Sequence, residues 1–183
     1  MSVQTRLYTI EEFEQFIAQP SSADKLFEYI GGEIVEVPSN PRVSEIAANV
    51  SFFIKLFLRE QKIAGHVTGE AGGYRVSGER YAPDVAYLSA ARQPQLAAEG
   101  YNPFAPELAV EVVSPSDVPY LLRLKVANYL KAGTVVWVVD SERQHVEIYV
   151  SGQSPRVIGI DGTVDGGEVL PGFTLSVKEI FRT

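Results

Sequence analysis

Asp84, Glu111 and Lys125 carry charge in stretches whose other residues ask to be buried. Glu111 is the one polar residue in LAVEVV, residues 108–113, an apolar run of the kind that forms a strand covered on both faces. Asp84 follows Pro83 in a segment otherwise made of Tyr81, Val85, Tyr87 and Leu88. A carboxylate in such a place costs free energy unless it is paired, hydrogen-bonded or bound to metal. At about 100° per residue Lys125 falls between Leu121 and Tyr129, beside Leu122, within the stripe of a helix that turns toward the sheet. Two carboxylates on adjacent strands and an ammonium on the next helix can hold a hard divalent cation, Mg²⁺ or Mn²⁺, with a main-chain carbonyl and waters completing the oxygen ligands. The ammonium would orient an attacking water and offset charge at phosphorus. Plainer readings stand beside this one. Glu111 and Lys125 alone make a buried ion pair that fixes helix to sheet, and a lone Pro-Asp is commonly a turn or cap. The Asp84/Glu111 pair also permits glycoside hydrolysis, which the lysine and the Pro-Asp context disfavour.

The elements that must position these groups are legible in order. Thr9 to Glu12 has the spacing of a capping box and Phe13, Phe16 and Ile17 follow at helical intervals, predicting a short N-terminal packing helix. Residues 26–30 and 33–37 flank Gly31-Gly32 and read as a hairpin, with Ile34 on one face and Glu33, Val35 and Val37 on the other. Pro38 to Pro41 ends its second strand. Residues 44–61 carry Ile46, Val50, Phe53, Ile54, Phe57 and Leu58 at helical spacing, predicting the longest helix. Residues 65–70, 73–77 and 81–88 read as three strands, and 90–106 as a surface connection. After the strand at 108–113, Ser114 to Asp117 offers caps for a helix of roughly 12 residues opened by Pro119 and closed by Gly133. A second continuous apolar strand at 134–140 follows, then an alternating one at 146–150 and a short one near 156–160. A turn at 161–167 leads to Leu170–Phe173 and a last apolar turn at Ile180-Phe181. The order is αβββαβ with extra strands at both ends, an α/β or α+β domain with a mixed central sheet. A single domain over residues 1–183 is expected, with its core at about 43–140, an N-terminal helix and hairpin at 9–37 and C-terminal strands at 146–181.

Composition narrows the class. The 183 residues are 45% hydrophobic and 21% charged, ordinary for a globular protein, and no segment nears the roughly 18 apolar residues of a membrane span. The start, MSVQTRLYTIEEFEQF, lacks the apolar core of a signal peptide and cysteine is absent, so a cytoplasmic location is expected. The net charge of −7 repels nucleic acid as a whole-molecule field, so a polyanion would need a local basic patch or bound cations. Arg42, Lys55, Arg59 and Lys62 offer one side of a groove, although helix cations are commonly just solvated. His66 and His145 have no metal-ligand spacing, and Trp137 lies in a buried strand.

Pro83-Asp84 followed by Glu111-Val112-Val113 resembles the PD-(D/E)XK motif of the restriction-endonuclease-like superfamily, whose core is also αβββαβ. Valine stands at 113 where the motif has lysine, and Lys125 sits where a lysine that has migrated to the next helix would be. GGEI at 31–34, APDV at 82–85, LAVEVVSPSD at 108–117, Lys125 with YLKAG at 129–133, VWVVD at 136–140 and LPGF at 170–173 together resemble the Uma-two family of restriction-endonuclease-like nucleases, over roughly residues 26–181. The resemblance implies a divalent-metal-dependent endonuclease that hydrolyses DNA with metal-activated water and leaves a 5′-phosphate. It implies Asp84 and Glu111 as metal ligands with the main-chain carbonyl of Val112, Lys125 as the catalytic lysine, and a further acid from the first core helix or nearby. Glu45 is the choice on position, with Glu33 and Glu70 behind it. Many relatives have a histidine near the start of that helix; Val43 takes its place here. A homodimer is also expected, with the edge of the 26–37 hairpin available for it. The alternative is a catalytically inactive dimeric binding or regulatory module of the same fold, keeping its ion pair and having lost nuclease activity.

Overall fold

The structure, a computed structural model, describes residues 6–37, 40–115 and 117–183. Its centre is a six-stranded sheet, built in sequence from a meander and a crossover. The long helix α2 (Pro41–Glu60) leads into β3 (Gly65–Gly69), then β6 (Val85–Ser89), β7 (Leu108–Val113), helix α3 (Pro119–Lys131) and β8 (Val135–Asp140). β9 (His145–Tyr149) and β10 (Arg156–Ile158) extend the sheet to the order β10-β9-β8-β7-β6-β3. Only β7 and β8 run parallel, as the α3 crossover between them requires; every other neighbour is antiparallel. The expected αβββαβ core is therefore α2-β3-β6-β7-α3-β8.

A smaller sheet of order β2-β1-β5-β4 lies beside it, made of β1 (Phe27–Ile30), β2 (Glu33–Glu36), β4 (Tyr74–Val76) and β5 (Glu79–Tyr81). The hairpin expected at 26–37 is its outer half, turned by Gly31 and Gly32 at φ +58° and +88°, where a side chain would be strained. Two expectations change here. The strand read at 73–77 belongs to this second sheet and not to the core meander. The single strand read at 81–88 is two strands in different sheets, broken at Ala82-Pro83-Asp84. Proline lacks the N–H that a ladder needs, so the chain leaves one sheet and enters the other across it.

Alternation along β7 distributes the core. Leu108, Val110 and Val112 face α2, where Ile46, Val50, Ile54 and Trp137 pack with Phe173 and Leu175 of the C-terminal hairpin β11 (Thr163–Asp165) and β12 (Thr174–Ser176). That short hairpin was not foreseen from the turn at 161–167, because its three-residue strands carry little pattern of their own. The helix α4 (Val177–Ile180) completes the layer with Val177 and Ile180. On the other face Ala109 and Val136 pack with Val126 and Tyr129 of α3 and with Tyr74, Val76 and Tyr81 of the small sheet. Glu111, odd-numbered like Ala109, shares that second face with α3. The N-terminal helix α1 (Ile10–Ile17) has the foreseen capping box, Thr9 with Glu12, and buries Phe13 against Tyr29 and Tyr101.

Helix α3 starts differently from its sequence signal. Its N-cap is Val118, without a side-chain cap bond, while Asp117 Oδ2 accepts from the main-chain N–H and hydroxyl of Ser114 at 2.6 and 2.9 Å. Of the expected capping and strand-ending residues, Ser116, Pro38 and Ser39 lie outside the described residues. The helix ends at Ala132, with Gly133 at φ +81°.

Candidate active site

Lys125 reaches inward from α3 and its ammonium is clasped by two carboxylates. Nζ donates to Glu111 Oε2 at 2.7 Å and to Glu28 Oε1 and Oε2 at 2.8 and 3.1 Å. All three residues are 6–7% exposed. The second oxygen of Glu111 accepts from Tyr129 Oη at 2.9 Å, and that of the ammonium's other partner, Glu28 Oε1, also accepts the Ala82 N–H at 2.7 Å. Glu28 thus ties the lysine to the residue that opens the Pro83-Asp84 crossing. Sequence reading missed it: in the alternating strand FEYI it reads as the solvated position of a hairpin, and only the docking of the small sheet against α3 turns it inward.

Asp84 joins this cluster from the strand break. The β6–β7 ladder ends at the Val85–Val110 pair, and one step beyond it the Val112 N–H donates to Asp84 Oδ2 at 2.6 Å. The main-chain edge of Val112 thus faces Asp84 in place of a strand. No bond to the other oxygen of Asp84 is found among the described residues. Asp84, Glu111, Lys125 and Glu28 line one cavity of about 300 Å³ together with Val112, Ser114 and Asp117, and its remaining wall is largely aliphatic.

The electrostatics follow from three carboxylates around one ammonium in a dry setting. Burial pushes Asp84 up to about 6, against the Val112 N–H and the charge of Lys125, while Glu28 and Glu70 add to the rise. Glu111 is raised by burial more than Lys125 can lower it, with Glu28 and Asp84 raising it further. Burial works against the Lys125 ammonium, and Glu111 and Glu28 outweigh it, so the lysine stays protonated. Tyr129 is held well above the ordinary phenol range by burial and by Glu111. Together they make a pocket with excess negative charge that an added cation would relieve.

The other candidates stand elsewhere. Glu45 is exposed on α2 in an ion pair with Arg42 at 2.8 Å and does not line the cavity, because helical phase turns it to solvent between Ile46 and the helix start. Glu33 accepts from Tyr120 Oη on the outer side of the hairpin. Glu70 lines a neighbouring depression with Lys25 and Asp24, and only its charge is felt at Asp84. Val43 does line the cavity, as an aliphatic wall. Arg42, Lys55, Arg59 and Lys62 do not. His66 bonds the Gln93 carbonyl and His145 bonds Glu147; Trp137 is core, stacked on Phe173.

A model of the family described as "Uma2: Putative restriction endonuclease" matches residues 10–178. The chain belongs to the Uma2 family. Among solved structures, this Uma2 chain is similar to one from Anabaena variabilis ATCC 29413 described as "a putative nuclease belonging to DUF820". The two are 23% identical, superpose with a TM-score of 0.77, and share 92% of this chain and 96% of that one; the likeness is one of fold. No curated protein matches the Uma2 chain.

The donor set bears on a metal. Among the described residues no group of three or more His, Cys, Asp or Glu side chains is arranged to hold an ion. Asp84, with one unbonded oxygen, and Glu111, whose oxygens accept from Lys125 and Tyr129, remain as hard oxygen donors beside the excess negative charge just described. That partial set fits Mg²⁺ or Mn²⁺, which keep several waters, better than a cation that needs an all-protein cage. No described helix is long and apolar enough to cross a membrane.

Glu28 makes the cluster testable without reference to activity. Replacing Glu28 with Ala leaves the Ala82 N–H and half the ammonium shell unsatisfied, and unfolding in urea is expected to show a loss of about 3–5 kcal/mol. Glu28→Gln keeps an acceptor for Ala82 and should lose roughly 1–3 kcal/mol.

Proposed function

We propose that this chain is a divalent-metal-dependent endonuclease that hydrolyses DNA phosphodiester bonds at the Asp84–Glu111–Lys125 cluster. The observation that carries the reading is the convergence of Asp84 from the strand break, Glu111 from β7 and Lys125 from α3 on one cavity, with the lysine ammonium 2.7 Å from Glu111. With valine at 113, the lysine role falls to Lys125, whose contact with Glu111 in the cavity that Val113 also lines supports it. Asp84, Glu111 and the Val112 carbonyl are the residues that would hold Mg²⁺ or Mn²⁺. When bound, such a cation supplies charge neutralisation at the phosphate and a water of lowered pKa. Lys125, kept protonated by its two carboxylates, offsets charge in the transition state, and would donate to the attacking water or a phosphate oxygen on giving up its longer contact with Glu28. Glu28 holds that ammonium and the Ala82 end of the crossing in register, and Tyr129 fixes the rotamer of Glu111. In the hydrolysis the water oxygen adds to phosphorus, the 3′ oxygen leaves with the bonding pair and takes up a proton, and a 5′-phosphate remains. The family description supports a nuclease; the acid-rich cavity supports the metal.

A second reading is a catalytically inactive dimeric module of the same fold. The observation that favours it is that Lys125 is already fully paired, and β2, an edge of the small sheet, is free to pair with a second copy. Metal binding separates the two. Mn²⁺ or Mg²⁺ at about 100 times its dissociation constant should stabilise the chain by about 2.7 kcal/mol in thermal unfolding. The shift should vanish in Asp84→Asn. A wild-type chain indifferent to both metals would favour the inactive module.

A further inference from the structure

Resting on the nuclease reading, the geometry points to a narrower substrate: we infer that the cavity takes an unpaired nucleotide of single-stranded or locally opened DNA, with its base against the aliphatic wall, and not an intact duplex.

The first observation is depth. Glu111 and Lys125 are only 6% and 7% exposed and line a cavity. A phosphate in a duplex is held on the outside of a rod about 20 Å across and cannot follow them inward. A flexible strand can turn its backbone into the cavity, and enzymes that work on recessed nucleotides act on unpaired or extruded ones for this reason.

The second is the wall. Besides the acids the cavity is lined by Ile30 and Val35 of the small sheet, Val43 of α2, Val113 at the end of β7, and Leu121 and Leu122 in the first turn of α3. About 300 Å³ with this lining is near the lower end of ligand-pocket sizes and has room for one base and its sugar. An aliphatic wall has nothing to offer a phosphate. It suits the flat apolar face of a base, in the manner of sequence-tolerant single-strand binders.

The third is charge. A duplex is bound chiefly through many phosphates on flanking cations. Among the described residues of the cavity lining Lys125 is the one cation, against Glu28, Glu36, Asp84, Glu111 and Asp117. The chain as a whole carries −7. A single phosphate at the Lys125 end with the base on the apolar side meets that field far better than two rows of phosphates.

The test is binding, kept apart from cleavage by using Asp84→Asn in Mg²⁺ buffer. A 20-nucleotide DNA carrying one 2-aminopurine is titrated as a single strand and as a duplex. The single strand should bind at least tenfold more tightly, with fluorescence rising as the probe base leaves its stacked neighbours for the aliphatic wall. Leu121→Trp, which fills the cavity, should weaken that binding at least tenfold with its circular dichroism unchanged. Equal or tighter binding of the duplex overturns the inference, as does no binding of the single strand or a fluorescence that does not move. The fluorescence on the Leu121 form decides the matter even if the tryptophan variant does not fold. Cleavage by the wild type is read in parallel: duplex and single strand cut equally well would sink this inference and leave the nuclease reading standing, while single-strand binding without cleavage would do the reverse.

Discussion

Asp84→Asn is expected to cut cleavage by orders of magnitude and, in the same protein, to raise stability. The carboxyl of Asp84 sits at about 6 against an ordinary 3.8 because burial penalises its charge. The folded state therefore holds a proton that the unfolded chain has released, between about pH 4 and 6. Stability from this group is present below the ordinary pKa and is lost as pH rises through 6. At pH 7–8 the full penalty is in force. Allowing for the partial exposure of the side chain, it amounts to about 1–2 kcal/mol. Asparagine removes the charge and keeps an oxygen for the Val112 N–H. The variant should melt higher by roughly 2–8 °C at pH 7.5, and the gain should fade toward pH 4. Activity should fall about 10²–10⁴-fold, since losing a ligand forfeits several kcal/mol of charge stabilisation and each 1.4 kcal/mol is a factor of ten. A site that is costly to keep charged and is nevertheless charged is what function explains and stability does not.

Lys125→Ala should show the opposite balance, losing both stability and activity. Removing the ammonium leaves Glu28 and Glu111 facing each other in a buried site, and breaking such an arrangement costs about 3–5 kcal/mol. In urea the midpoint should drop with little change in slope. The deficit carries a pH signature. Glu111 is already raised by burial, and without Lys125 it loses the influence that opposes the rise. A carboxyl raised in the folded state loses stability as pH rises, so the variant should recover part of its deficit in mild acid. A pH-independent deficit would mean that the clasp is not electrostatic.

The two variants also show what could be read before the structure. Glu111 and Lys125 were legible because each breaks a strong pattern, a continuous apolar strand and the inner stripe of a helix. Asp84 was legible as a charge in an apolar segment, but not the reason for its position: the segment is two strands of two sheets, and Ala82-Pro83-Asp84 is the crossing between them. Glu28 was hidden. Its strand alternates as a solvated hairpin would, and nothing local tells that this hairpin packs over α3. Glu45 erred in the other direction, since nearness in sequence to the first core helix says nothing of its phase, and the helix turns it toward Arg42. Short strands such as β11 and β12 escaped for want of length. Residues that violate their own segment's pattern announce themselves; residues made internal by the docking of one sheet on another do not.

The central claim is that the Asp84–Glu111–Lys125 cluster cuts DNA with a divalent cation, and nicking of supercoiled plasmid tests it most directly, with wild type and Asp84→Asn compared in Mg²⁺, in Mn²⁺ and in chelator. The account predicts conversion to open circles by the wild type in either metal, none in chelator, and far less by Asp84→Asn although that variant melts higher. Equal nicking by the two proteins would contradict it.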